Sequence, residues 1–139
     1  MGALARRMPP DVIAAIAIGG ALGAPARYEV SQVIHVAKDT FPWATFATNL
    51  SGAFVLGLFI TVVFERLPPT RYLRPFFAIG FLGAFTTFST MAVETVTLVK
   101  DGFFVLGVGY LVVSVAAGLV VTFVGIRIAR LLPRRAGVP

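Results

Sequence analysis

The 139-residue chain is 58% hydrophobic and only 13% charged, with a mean hydropathy of +0.90, far from the balance of a water-soluble domain. It contains no cysteine, which excludes disulfides, thiolate metal centres and cysteine nucleophiles. The net charge of +6 is unevenly placed, and in a chain this apolar the placement reports insertion direction rather than nucleic-acid binding.

Four apolar runs reach the roughly 20 residues needed to cross the hydrocarbon of a bilayer: 12–34, 41–64, 75–99 and 103–126. The predicted fold class is therefore an all-α integral membrane protein, with four transmembrane helices forming one domain over residues 1–139. The first run follows Arg6 and Arg7 as a secretion signal would, but its apolar stretch continues too far, so it reads as a retained span. It carries a GxxxG pair, Gly19 and Gly23, and small residues also recur four apart as Ala53/Gly57 and Ser114/Gly118. Such pairs let membrane helices approach closely, either within one subunit or between subunits.

On the second run Thr45, Thr48, Asn49 and Gly52 share one helical face. On the third, Gly83, Thr86, Thr90, Glu94 and Thr97 form a stripe; on the fourth, Tyr110, Ser114, Gly118 and Thr122 form a ladder of four-residue steps. Each hydroxyl alone could bond back to its own helix. Three aligned stripes in a four-helix protein make a polar seam instead. The seam lacks the carboxylate rings of a cation pore and the arginine or lysine rings of a large-anion pore. It offers hydroxyls, one amide and phenylalanine edges, which suits something small that accepts hydrogen bonds.

Short connections at 35–40, 65–74 and 100–102, the second containing Pro68 and Pro69, make successive spans antiparallel neighbours. Arg6, Arg7, Arg66, Arg71, Arg74, Arg127, Arg130, Arg134 and Arg135 then fall on one side, and Lys38 and Lys100 on the other, with Arg27 at the far end of the first span. Both termini are expected in the cytoplasm, with the chain a multi-pass protein of the inner (plasma) membrane.

The stretch GFLGAFTTFST, residues 80–90, falls at the centre of the third run, where Gly80, Gly83, Thr86 and Thr87 hold a helix poorly. Unwound backbone at that depth is tolerated only where it lines a site or is buried in protein, and freed carbonyls there could hold a cation. An ordinary glycine-containing helix is the alternative.

Together with GGALGAPARY (19–28) and FATNLSGAF (46–54), this stretch resembles the Fluc (CrcB) fluoride-channel family, over nearly the whole chain except its termini. The resemblance implies an antiparallel, dual-topology-type dimer of four-helix subunits with two fluoride pores. It also implies a third helix broken at the midplane, with a structural sodium ion on the main-chain carbonyls of Gly83 and Thr86. Asn49 and Phe88 match the family's pore asparagine and first pore phenylalanine, Arg27 its vestibule arginine, and Glu94 its third-helix glutamate. Thr90 lies in the same motif, and the hydroxyl track maps to Tyr110, Ser114 and Thr122. Where family members often carry a second phenylalanine, this chain has Met91, which lacks an aromatic edge.

The arginine bias is a second departure, because a chain inserted one way would pair with an oppositely oriented sister chain rather than with itself. Expected partners are thus fluoride, the lipid bilayer and a second subunit of one of these kinds. With no nucleotide-binding loop and no proton-relay pair in the sequence, conduction is expected to be passive and non-enzymatic. Two rivals stand beside this reading: a small proton-coupled multidrug exporter using Glu29 or Glu94, and a non-transporting membrane assembly protein.

Overall fold

The computed structural model describes residues 8–67 and 70–132, so Arg6, Arg7, Pro68, Pro69, Arg134 and Arg135 lie outside the described residues. Every regular element among them is helical: α1 (Pro10–Val33), α2 (Trp43–Arg66), a π-helical segment (Arg74–Leu82), α3 (Gly83–Phe85), α4 (Phe88–Lys100) and α5 (Phe104–Leu131). Among the described residues, three lengths are long and apolar enough to cross a membrane: Trp43–Glu65, Arg74–Lys100 and Phe104–Leu131. The chain is an all-α membrane protein. At 24 residues α1 has the length for a fourth span, but Asp11, Arg27, Glu29 and its many small residues leave it less apolar than the other three.

Glycines decide how these helices meet. A Cβ on Gly19 or Gly23 would coincide with the backbone carbonyl of Phe76 or Phe81, and one on Gly80 would stand 3.0 Å from Gly19 Cα. The GxxxG pair of α1 therefore packs backbone to backbone on the π-helical segment of the same chain. Gly57 and Gly125 do the same between α2 and α5, where a Cβ would strike the carbonyls of Thr122 and Phe54. Of the small-residue pairs read from the sequence, Gly19/Gly23 and Ala53/Gly57 serve packing within the chain. Gly118 has open space around it.

The third span departs from a regular helix twice. Its first nine residues are wound as a π-helix, and Phe77 and Phe81 on it stack in line with Phe85 of α3, at centroid distances of 5.4 and 6.0 Å. After the single turn of α3, Thr86 and Thr87 are extended (ψ 156° and 116°), and α4 starts afresh at Phe88. Its far end closes conventionally. Gly102, at φ +91°, donates to Val99 O (3.2 Å), and Phe103 N–H donates to Leu98 O (2.8 Å), the glycine-terminated arrangement that satisfies the last carbonyls of a helix.

Candidate functional site

The two extended residues are held by a side chain from another helix. Asn49 on α2 donates its Nδ2 to Thr87 O (2.9 Å), while Thr87 N–H donates to Asn49 Oδ1 (2.8 Å). A primary amide presents a donor and an acceptor side by side, so one side chain replaces both hydrogen bonds of a backbone neighbour. Gly52, one turn along α2, leaves the space that the Thr86 methyl fills. Thr87 in turn caps α4: its Oγ1 accepts from Thr90 N–H (3.1 Å) and donates to Thr90 Oγ1 (2.9 Å).

These bonds have a consequence for the carbonyls upstream. In a continuous α-helix the N–H groups of residues 87 and 90 would bond the carbonyls of residues 83 and 86. Both are diverted here, one to Asn49 and the other to the Thr87 hydroxyl. Gly83 is exposed, and nothing but Ala78 O lies within 4 Å of where its Cβ would be.

Around this interruption the helices leave recesses linked by shared residues. One, of about 280 Å³, brings Arg27, Tyr28 and Ser31 of α1 together with Thr45 and Thr48 of α2 and with Thr87 and Thr90. A second, of about 220 Å³, is lined by Asn49, Thr86, Thr87, Phe88, Met91, Ser114 and Val115. Thr87 belongs to both. In the second, Ser114 Oγ is buried and has no hydrogen-bond partner. Burying an unpaired hydroxyl costs on the order of 1–3 kcal/mol, so this donor is conspicuous.

Thr45 connects the first recess to Glu94. Its Oγ1 donates to Glu94 Oε1 (2.7 Å), and Tyr110 OH donates to Glu94 Oε2 (2.7 Å), so one carboxylate ties α2, α4 and α5. Tyr110 is 1% exposed, with Phe41 packed edge-on against its ring at 5.2 Å. Beyond Glu94 a further recess of about 230 Å³ reaches Lys38, Thr97 and Asp101.

The structure thus gathers Arg27, Thr90, Asn49, Phe88, Met91 and Ser114 along two adjoining recesses, with Tyr110 and Glu94 beside them. Phe88 is 72% exposed, whereas Met91 is buried at 5%. Thr122 stands apart: its hydroxyl donates to Gly118 O (2.8 Å) and lies 3.3 Å from Ala53 O, at the seam between α5 and α2. Arg27 and Glu29 form no ion pair, because residues two apart on a helix point in nearly opposite directions. The residue that sequence reasoning undervalued is Thr87. The run Thr87-Phe88-Ser89-Thr90 ahead of an apolar stretch is a helix-start signal that could have revealed it.

Residues 14–126 match the family described as "CrcB-like protein, Camphor Resistance (CrcB)". A Streptomyces avermitilis protein named "Fluoride-specific ion channel FluC 3" is similar at 47% identity over 130 residues, which is 93% of this chain and 64% of that relative. The chain therefore spans just under two thirds of that protein's length. "Fluoride-specific ion channel FluC 1" of Mycolicibacterium paratuberculosis is 42% identical over 118 residues, covering 85% of this chain and 89% of the relative. "Fluoride-specific ion channel FluC" of Magnetococcus marinus is 38% identical over 121 residues, 86% of this chain and 98% of the relative.

Proposed function

The chain belongs to the CrcB family, and on that premise we propose that it is a fluoride channel, conducting the ion passively out of the cell through a dimer with two pores. The observation that carries the reading is the buried, unpartnered Ser114 hydroxyl in the recess shared with Asn49 and Phe88. A donor without an acceptor is what a hydrogen-bond-accepting ion needs on its route. Fluoride would enter beside Arg27, exchange water for Thr48, Thr90 and Asn49, and pass the edge of Phe88 to Ser114 and the Tyr110 and Glu94 end. Each contact has to be strong enough to admit the ion and weak enough to release it.

The second subunit is supported by what α4 leaves open. Phe88, Ser89, Thr90 and Gly83 are exposed in the interior of a span, where hydrocarbon would otherwise meet polar groups. An antiparallel copy, or an oppositely oriented sister chain, would cover them and complete each pathway. The carbonyls of Gly83 and Thr86, relieved of their usual donors, suit a sodium ion held between subunits near the midplane. When bound it would supply a fixed positive charge beside the anion route. Met91, buried against the recess, would act by packing rather than by a ring edge.

Fluoride efflux from proteoliposomes containing this chain, alone or with a co-expressed, oppositely oriented sister chain, tests the proposal. Uncoupled efflux is expected without any proton gradient, and Asn49→Asp or Phe88→Ile should abolish it while the purified dimer persists. Efflux equal to wild type in both variants would remove these residues from the route. Dependence on a proton gradient would favour the exporter reading, and no flux with or without a co-expressed sister chain the assembly-protein reading.

A further inference from the structure

A recess away from the pathway lies where two spans end. Trp43–Glu65 finishes and Arg74–Lys100 begins at the same end of the bundle, and between them a cavity of about 250 Å³ is lined by Val63, Phe64, Leu67, Thr70 and Arg74. Thr70 Oγ1 is buried there without a hydrogen-bond partner among the described residues. Arg74 has no carboxylate partner among the described residues; its guanidinium lies over the Phe64 ring, 3.9 Å from the centroid. Stacking occupies the face of the guanidinium and leaves its N–H edge available. Among the described side chains nearby, Glu65 accepts from Arg130 at 2.9 Å, and Arg71 pairs with Asp11 at 2.7 Å.

A free guanidinium edge and an orphan hydroxyl converge on one apolar-walled recess at the depth where a span meets the headgroup layer. That is the chemistry of a phosphate acceptor attached to acyl chains, since basic pockets between membrane helices bind anionic headgroups. We propose that the Arg74–Thr70 recess holds the phosphate of an anionic phospholipid. The arginine supplies a charged N–H pair, the threonine a neutral donor, and Val63, Phe64 and Leu67 the apolar wall beside the first acyl carbons.

Native mass spectrometry of the full chain in neutral detergent, titrated with phosphatidylglycerol, tests this. Phosphatidylcholine of the same acyl length and inorganic phosphate are run in parallel. Arg74→Gln is expected to weaken phosphatidylglycerol binding about fivefold, and Thr70→Val to weaken it by a smaller factor. Arg127→Gln, which removes an arginine laid over Phe123 at 5.2 Å outside this recess, should leave it within twofold of wild type. Equal loss in Arg127→Gln would mean only general surface charge. Full competition by inorganic phosphate would assign the recess to a free anion, and wild-type binding in Arg74→Gln and Thr70→Val would remove the site. Each of these three results overturns the proposal.

Discussion

Ser114 and Asn49 separate two ways in which a polar residue is retained inside a membrane protein. Asn49 spends one amide N–H and its oxygen on Thr87 and keeps its second N–H, so it holds the interruption and can still donate to an ion. Ser114 is not used at all. The two should therefore respond differently to substitution. Ser114→Ala is expected to slow fluoride efflux while leaving thermal stability equal or slightly raised, since a buried orphan hydroxyl is lost without a broken bond. Parallel flux and unfolding measurements check this; a clear drop in stability would mean the hydroxyl is engaged in the fold. Asn49→Ala should lose both flux and on the order of 1–3 kcal/mol of stability, because Thr87 is then left unpaired. That Asn49 would make a specific hydrogen bond, to an ion or in helix packing, was legible in the sequence, as a lone amide on a threonine stripe. Its partner was not, because Thr87 is 38 residues away and the bond runs to backbone atoms that no side-chain pattern advertises.

The helices themselves were legible in outline, the starts of three spans falling within two residues of the apolar runs, while the last helix runs on to Leu131, past the predicted end at 126. Their winding was not. Hydrophobic pattern cannot distinguish a π-wound stretch from an α-helix when both faces are apolar, as they are over Arg74–Leu82. What the glycines permit was visible, but not whether they served this subunit or another. Their close approaches within the chain yield a prediction for the elements. Gly23→Val or Gly57→Val would drive a side chain into the backbone of Phe81 or Thr122 and should cost more than about 1–3 kcal/mol, or prevent folding. Gly118→Ala, in open space, should be tolerated. Comparing the yields of monodisperse protein for the three variants decides the point, and equal yields would show the contacts to be loose.

Across the whole molecule, charge is divided between the two ends. Arg71, Arg74, Arg127 and Arg130 cluster at the end opposite Lys38 and Lys100, and the bias predicted from the loops follows. A label at the C-terminus should accordingly be found on the cytoplasmic face in nearly all molecules of intact cells. Equal labelling of both faces would mean dual insertion. The basic end is also fastened: Asp11 accepts from Arg71 (2.9 Å) and from Tyr72 OH (2.6 Å), tying the start of α1 to the loop before the third span. The Tyr72 bond and the Arg71 charge hold the Asp11 carboxyl below the usual carboxylate range, and the same carboxylate raises the Tyr72 phenol above that of a free tyrosine. A depressed acid stabilises above its unfolded value and loses that as pH falls through the folded one; a raised phenol stabilises below its unfolded value and loses that as pH rises. The fastening should thus be indifferent to pH across the neutral range, and a melting temperature of Tyr72→Phe that differs from wild type equally at pH 5 and pH 8 would bear this out.

The clasp between Asn49 and Thr87 also bears on the order of events during biogenesis. Its two halves come from separate hydrophobic stretches, so a nascent third stretch leaving the insertion machinery has nothing to compensate an opened backbone. It would enter lipid as one rod and acquire its gap only after docking on its neighbour. The proposed permeation route would then be a product of maturation, and a chain arrested before that docking would sit in the bilayer sealed.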